Sequence, residues 1–305
     1  MTNDEKIAAI LAAVQIDPGN RGLARDPHDN LFTACPGDFA AACRSLSETT
    51  NASASMYTGF IIPTCKPPTH ETDGPLGTLF LAYAFHHLAI CSSIHAERQC
   101  IATIASAMAA TQIDKKHWNA TLDRLSIKSI TGTFSMTTHN IAIERPGQGS
   151  DQRLRTMRGS DITALHLDYQ HHFRPIDILP YGIPTIAIGD GGNEIGMGKI
   201  PHETIVKNIP NGDLIHCRVP ADYLIVAGVS NWGAYALAAG VFVLRGEKPP
   251  SDLFDPDVEK RILEIMVREG PLVDGVTGEQ TATVDGLTWN DYIQPMLKMR
   301  EILEL

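Results

Sequence analysis

The strongest constraint on the fold is a short apolar run, residues 183–188 (IPTIAI), followed at once by the glycine-rich segment 189–198 (GDGGNEIGMG). The β-branched apolar run is typical of a buried parallel strand. Glycine allows backbone conformations that other residues avoid, and it lets a ligand approach bare peptide N–H groups. In open parallel sheets, ligands bind at the loops that follow the carboxyl ends of strands. The glycine-rich segment is therefore predicted to be a binding site.

Strand-like and helix-like runs alternate along the chain, which is typical of an α/β fold. We predict a mostly parallel open sheet flanked by helices, with an acidic cleft at the carboxyl edge of the strands. Strands are expected at 57–62, 141–143, 183–188 and 223–228, and helices at 79–88, 97–110 and 232–244, after Asp255 and after Thr288. Thr2 and Glu5 form a capping box that predicts a further helix at the start of the chain.

The 305 residues are predicted to form a single compound α/β domain, because no linker or low-complexity tract divides them. It would comprise an N-terminal helix and irregular segment (1–55), a core (56–290) and a C-terminal helix (288–305). A homo-oligomer is possible.

Composition and charge argue against several partners. The formal net charge is −10 and no dense Lys/Arg stripe occurs, so neither nucleic acid nor an anionic membrane is an expected partner. The apolar segment 223–244 is broken by SNWG at 230–233, which favours a strand, a turn and a buried helix over a membrane span. The six cysteines form no C-x-x-C pair and the start of the chain lacks a signal-peptide pattern, so a cytoplasmic location is expected.

The glycine-rich segment does not match nucleotide-binding loops. Counting G-x-G-x-x-G from Gly189 places Glu194 at the last position, and Lys199 is followed by Ile200 where a Walker loop needs Ser or Thr. No nucleotide cofactor is therefore expected. Carboxylate and amide oxygens in the segment favour a divalent cation, Mg²⁺ or Mn²⁺. The alternative is a structural turn in which Asp and Asn side chains cap backbone groups.

Six segments in one order resemble the D-glutamate cyclase family. They are TGF and Pro at 58–63, ETDGP at 71–75, ERPG at 144–147, GDGGNEIGMG at 189–198, VAGVSNWG at 226–233 and VDGVTG at 273–278. The resemblance extends over residues 55–290. It implies a hydro-lyase that converts D-glutamate to 5-oxo-D-proline and water, or acts on a related small acidic amino acid. The segment 91–100 (CSSIHAERQC) departs from the expected strand ending in an acidic loop.

Ring closure sets clear chemical requirements. A neutral amine must attack a carboxyl carbon, although at neutral pH the amine is protonated and the carboxylate is a poor electrophile. Because no ATP motif is present, a divalent cation is expected to polarise the carboxyl group. A carboxylate with a raised pKa would serve as acid or base.

The catalytic candidates are Glu144, Asp190 and Glu194, and the metal-ligand candidates are Asp190, Glu144 and Glu71. Glu144 and Asp190 each follow a short apolar strand, so their side chains should converge at one edge of the sheet. Alternatively, Glu144 forms a salt bridge with Arg145, and Glu194 lies at a helix N-terminus facing the helix dipole.

The candidates for substrate binding are two arginines, two glycines, two asparagines and one aspartate. Two arginines border a polar segment, 147–160, that is predicted to be a mobile flap, and arginine is the better bidentate partner of a carboxylate. Asn231 is alternatively a cap for its own helix, and Asp73 a turn residue and N-cap. The candidates are Arg145, Arg158, Gly191, Gly192, Asn193, Asn231 and Asp73.

Two other classes of function stay open. One is a metal-dependent hydrolase or isomerase of a small carboxylated or phosphorylated metabolite. The other is a non-catalytic protein that only binds a ligand or metal. The histidines show no zinc-binding pattern.

Overall fold

The computed structural model describes residues 1–110, 125–127, 137–173 and 182–305. At its centre lies a six-stranded sheet in the order β5-β4-β1-β6-β7-β8, and every neighbouring pair of strands is parallel. A separate antiparallel pair joins β2 and β3. The strands are β1 (Ser53–Thr58), β2 (Ile61–Ile62), β3 (Thr69–His70), β4 (Cys91–His95), β5 (Leu125–Ile127), β6 (His139–Ile143), β7 (Thr185–Gly189) and β8 (Tyr223–Val226). The predicted α/β class with a parallel sheet is confirmed.

The strand order reverses direction between β1 and β6. From β1 the chain builds outward through β4 to β5, and it then returns to the other side of β1 and builds outward through β6, β7 and β8. Where neighbouring parallel strands lead their connections to opposite sides, a crevice opens beyond their carboxyl ends. The topology therefore favours a binding site beyond Thr58 and Ile143.

Helices cover the sheet. They are α1 (Asn3–Val14), α2 (Asp38–Glu48), α3 (Pro75–His87), α4 (Arg98–Ala110), α5 (His202–Asn208), α6 (Gly212–Ile215), α7 (Ser230–Arg245), α8 (Pro256–Glu269), α9 (Trp289–Tyr292) and α10 (Gln294–Leu303). Helices α3 and α7 pack against each other and are buried on almost every side. Their nearly continuous apolar sequences fit that position, because a helix without a polar face must lie in the interior.

A smaller apolar cluster packs on the other face of the sheet. It joins Tyr57, Ala142, Ala187 and Leu224 of the strands to residues from 195–217 and to Leu23 and Leu31 of the irregular N-terminal segment. The segment that begins at Asp17 is thereby held against this face of the sheet.

Most predicted elements occur, with one difference. The capping box of Thr2 and Glu5 is present. The predicted strand at 57–62 is wrong, because Gly59 has a φ of 99° that β-strands do not adopt; β1 ends at Thr58, and Ile61–Ile62 pairs with β3. Segment 91–100 forms strand β4 and the start of α4, and Glu97 lies between them. The departure of this segment from the family pattern stays a prediction.

Segment 223–244 folds as strand β8 followed by helix α7. None of the helices in the described ranges is long and apolar enough to cross a membrane.

A buried glutamate in α8 makes stability depend on pH. Tyr235 donates a hydrogen bond to Glu259, and the hydroxyl groups of Tyr235 and Tyr292 lie 2.6 Å apart. Burial raises the pKa of Glu259 from 4.5 to about 8. The folded protein thus keeps a proton that the unfolded chain loses at lower pH, so stability falls as pH rises from about 4.5 to about 8.

We expect Glu259→Gln to stabilise the protein at pH 8 by a few kcal/mol, since glutamine cannot ionise. The difference from the unchanged protein should vanish near pH 4.5, the ordinary pKa of the group. Urea unfolding at both pH values measures it. Glu264→Gln, an exposed position on the same helix, is the matched control. An equal effect of Glu259→Gln at both pH values would contradict the assignment.

Candidate functional site

A cavity of about 210 Å³ opens beyond the carboxyl ends of β1, β6 and β7. This is smaller than the roughly 300–1,000 Å³ of common ligand sites, so it suits a small metabolite. Its polar lining is dominated by carboxylates. The charged lining residues are Glu71, Asp73, Glu144, Asp190, Glu194, Asp285, Arg21 and Arg158.

Three of these carboxylates converge. Asp73, Glu144 and Asp190 each place a carboxylate oxygen so that the three oxygens lie within 4.8 Å of one another, and all three residues are buried. Glu144 and Asp190 directly follow β6 and β7, as the sequence predicts. Glu144 has a φ of 45°, which is uncommon for a residue other than glycine.

Asp73 is held by the N-terminus of α7. Its Oδ1 accepts hydrogen bonds from the N–H groups of Gly74 and Asn231, and its Oδ2 accepts one from the N–H of Ser230. Burial and the nearby charge of Asp285 raise the pKa of Asp73 to about 7, although these hydrogen bonds oppose the rise. Asp73 therefore caps α7 rather than the helix that follows it in the chain. It also lines the cavity, and its contact with a substrate stays a prediction.

Glu144 and Asp190 repel each other from adjacent strands. Ser230 Oγ donates a 2.6 Å hydrogen bond to Glu144 Oε2. Burial, followed by the charges of Asp190 and Glu194, raises the pKa of Glu144 well above its ordinary value. Burial also raises the pKa of Asp190, against the opposing charge of Arg21. The alternative salt bridge between Glu144 and Arg145 does not form.

Glu194, Asn193 and Glu71 complete the acidic wall. Glu194 Oε2 accepts a 2.8 Å hydrogen bond from Gly192 N–H, and burial raises the pKa of Glu194. No helix begins at Glu194, so the helix-dipole alternative does not apply. Asn193 Nδ2 donates to the carbonyl oxygen of Arg155, while its buried Oδ1 has no partner among the described residues. Glu71, a predicted metal ligand, lines the cavity but is not a member of the converging group. The third member of that group is Asp73.

Neither of the two predicted glycines forms a ligand cradle. Neither Gly191 nor Gly192 is among the residues that line the cavity. The N–H of Gly192 is taken by Glu194, and a Cβ on Gly191 would lie 2.7 Å from Glu194 Oε1. Glycine at 191 therefore makes room for the glutamate side chain.

The predicted flap forms part of the cavity mouth. Thr156, Met157, Arg158 and Ser160 of segment 147–160 line the cavity, and Arg158 is exposed there. Its placement is compatible with binding a substrate carboxylate. The mobility of the segment stays a prediction.

Arg145 points away from the cavity, and this placement does not fit its predicted role in substrate binding. Its guanidinium group forms a bidentate pair with Glu97, with distances of 2.8 and 2.7 Å. It also donates to the carbonyl oxygens of Thr58, Gly59 and Leu167. Because the carboxylate of Glu97 lies in the interior, it draws the arginine inward.

The pair belongs to a larger ionic network behind the cavity wall. Glu97 also contacts His70 Nε2 at 3.1 Å and His166 Nδ1 at 3.3 Å. Although burial opposes ionisation, the hydrogen bonds from His166 and His70 and the charge of Arg145 hold the pKa of Glu97 well below its usual range. His70 and Arg145 directly precede Glu71 and follow Glu144, respectively, so the network fixes two cavity residues through their neighbours.

Asn231 caps a neighbouring helix and does not line the cavity. Its Oδ1 accepts hydrogen bonds from the N–H groups of Gly74 (2.9 Å) and Gly77 (2.7 Å) at the start of α3. The predicted substrate contact is not present, and the predicted cap serves α3 in place of its own helix. The cause is the close packing of α3 on α7.

Arg21 and Asp285 are site residues that the sequence did not reveal. Arg21 Nη1 pairs with Asp190, and its Nη2 lies 2.8 Å from Asp285 Oδ1. Despite the cost of burial, the charges of Asp190 and Asp285 raise the pKa of Arg21. Both residues lie in irregular segments that are distant in sequence from the strands. No spacing pattern in the sequence therefore relates them to the other cavity residues.

The donor set suits a hard divalent cation. Six carboxyl groups line the cavity, and the cationic side chains among its described lining residues are those of Arg21 and Arg158. In addition, Asp285 Oδ2 has no hydrogen-bond partner in the described part of the chain. Clustered carboxylate oxygens are the ligands that Mg²⁺ and Mn²⁺ prefer.

The fold and cavity define an α/β protein with a buried, carboxylate-lined pocket where the strand order of a parallel sheet reverses. The family model described as D-glutamate cyclase-like, C-terminal, matches residues 10–300. The chain belongs to that family. It is 29% identical over 332 aligned residues to human "D-glutamate cyclase, mitochondrial", and the alignment covers 96% of this chain and 51% of the human protein. The chain thus spans about half the length of that relative.

Proposed function

We propose that this protein is a hydro-lyase that closes D-glutamate, or a related small acidic amino acid, to a five-membered lactam. The observation that carries the proposal is the convergence of Asp73, Glu144 and Asp190 in a small buried cavity. Membership of the D-glutamate cyclase-like family supports it.

The reaction needs proton transfer but no net exchange of protons with solvent. The substrate nitrogen forms a bond to the side-chain carboxyl carbon, and one oxygen of that carboxyl group leaves. Two protons of the ammonium group depart with this oxygen as water. One group that takes the two protons from nitrogen in succession and passes each to the leaving oxygen therefore suffices. Burial raises the pKa of Glu194, which suits such a group, and we assign it this role.

A divalent cation, Mg²⁺ or Mn²⁺, would be held by Asp73, Glu144 and Asp190. When bound, it would supply Lewis-acid polarisation of the substrate carboxyl group. Its charge would also offset the repulsion between the clustered carboxylates and an anionic substrate.

The remaining cavity residues orient the substrate. Arg158 at the mouth is suited to bind a carboxylate, and the acidic wall attracts the ammonium group. Fixing both ends of a flexible chain brings nitrogen and carbonyl carbon together, and such orientation lowers the barrier substantially.

The proposal predicts formation of 5-oxoproline from D-glutamate. The protein would be incubated with D-glutamate or L-glutamate and Mn²⁺ or Mg²⁺, and the products resolved by chiral chromatography. We expect 5-oxo-D-proline from the D-enantiomer at a rate proportional to protein concentration. Absence of product from either enantiomer with both metals would contradict the proposed reaction.

The cation assignment has its own prediction. Saturating Mn²⁺ is expected to raise the melting temperature, since at a ligand concentration of 100 Kd the stabilisation is about 2.7 kcal/mol. Asp190→Asn should abolish most of this shift by removing one ligand charge. Asp213→Asn, at an exposed position outside the cavity, should keep it. A shift of equal size in Asp190→Asn would contradict the assigned ligand set.

A further inference from the structure

The guanidinium group of Arg21 lies inside the acidic cavity. Its side chain is 16% exposed, and it pairs with single oxygens of two different carboxylates, Asp190 and Asp285. Asp190 is also a member of the converging group with Asp73 and Glu144. The same carboxylate therefore serves Arg21 and any cation that the group holds.

The backbone of Arg21 is fixed. The carboxylate of Asp17 accepts hydrogen bonds from the N–H groups of Arg21 (2.9 Å), Gly22 (2.8 Å) and Leu23 (3.0 Å). Leu23 is fully buried in the apolar cluster beneath. A rigid turn thus presents a long side chain whose charged end can change partners without movement of the main chain.

The guanidinium group of Arg21 contacts only one oxygen of each of its two carboxylate partners. Each of its two terminal nitrogens contacts a different carboxylate, whereas a guanidinium group binds best to both oxygens of one carboxylate. The side chain of Asp285 is 6% exposed, and its Oδ2 has no partner among the described residues. Asn193 Oδ1, also buried in the cavity lining, has none in the same part of the chain. The cavity therefore contains buried acceptors that are unsatisfied while Arg21 remains on Asp190.

We propose that Arg21 is an internal counter-cation that a divalent cation displaces from Asp190, and that the freed guanidinium group then binds a carboxylate of the substrate. The proposal rests on the proposed function, because it assigns Arg21 to recognition of that same substrate. A cation at Asp73, Glu144 and Asp190 repels the guanidinium group and competes for its partner. Arg21 would retain Asp285 and offer its remaining donors to the ligand.

The proposal predicts opposite effects of one substitution on two ligands. Without Arg21 the cation has no competitor, so Arg21→Gln should tighten Mn²⁺ binding by about tenfold or more, which corresponds to the one to three pKa units that a neighbouring charge commonly contributes. The same variant should lose most of its affinity for a dicarboxylate in the presence of Mn²⁺. Arg21→Lys keeps the charge but lacks the fork, so it should bind Mn²⁺ about as the unchanged protein does and still bind the dicarboxylate weakly.

The experiment measures Mn²⁺ binding by electron paramagnetic resonance and glutarate binding by calorimetry with and without Mn²⁺. Glutarate has two carboxylates but no amine, so it tests recognition without turnover. Arg25→Gln, an exposed arginine on the same segment, is the matched control and should behave as the unchanged protein. Circular dichroism establishes that each variant is folded.

The outcomes are distinct from those of the cyclisation assay. Tighter Mn²⁺ binding together with lost glutarate binding in Arg21→Gln supports the proposal even if D-glutamate is not converted, in which case only the proposed reaction fails. Unchanged Mn²⁺ affinity, undiminished glutarate binding in Arg21→Gln, or no Mn²⁺ binding by the unchanged protein would overturn it.

Discussion

Glu144→Gln is expected to lower the turnover of D-glutamate by about 10³-fold, within the range that loss of one electrostatic stabilising group commonly causes. The substitution removes one charge from the converging carboxylates, so cation binding, and with it the polarisation of the substrate carboxyl group, would suffer. Glutamine keeps the size of the side chain and can still accept the hydrogen bond from Ser230 Oγ. The fold should therefore persist.

The free energy of unfolding of Glu144→Gln shows whether a loss of turnover comes from the site or from misfolding. Because burial and the charges of Asp190 and Glu194 disfavour ionisation of Glu144, a neutral amide should leave the free energy of unfolding equal or slightly higher. The rate of 5-oxo-D-proline formation and the urea midpoint would be measured on the same preparation. Glu203→Gln, at an exposed position in α5, should change neither. Retention of most activity in Glu144→Gln would exclude Glu144 from the chemistry.

Arg145→Met is expected to have the largest effect on stability, a loss of about 3–5 kcal/mol. Methionine fills the apolar part of the space but leaves the carboxylate of Glu97 without its bidentate partner. When one member of a buried ion pair is removed, the other remains buried as a charge whose desolvation cost is no longer compensated. The carbonyl oxygens of Thr58, Gly59 and Leu167 would lose donors as well.

Urea unfolding at neutral pH measures this loss. Arg153→Met is the control, since Arg153 is 58% exposed and pairs with Asp161 at the surface, where ion pairs contribute about 0–1 kcal/mol. A loss below about 1 kcal/mol in Arg145→Met would mean that the network is not structural. Arg145 would then again be a candidate for substrate binding.

The sequence located the site because of a geometric rule. The carboxyl ends of parallel strands meet at one edge of a sheet, so residues directly after apolar runs, such as Glu144 and Asp190, could be placed together without knowledge of the strand order. The strand order itself, with its reversal between β1 and β6, depends on packing between distant segments and was not predicted.

The direction in which an individual side chain points could not be predicted from the sequence. Arg145 follows Glu144, yet one points to the interior network and the other to the cavity. That difference is decided by Glu97, which is 48 residues away. Asn231 contacts α3, 154 residues before it. Arg21 and Asp285 lie in irregular segments, where no periodicity indicates which surface a residue faces.

Anomalous scattering from crystals soaked with Mn²⁺ and D-glutamate would locate the cation and the substrate directly. A manganese peak contacted by Asp73, Glu144 and Asp190 is expected, with the amino acid or its lactam beside it and Arg21 turned from Asp190 towards a carboxylate. Manganese and ligand bound elsewhere, with these three carboxylates contacting neither, would rule out the proposed site.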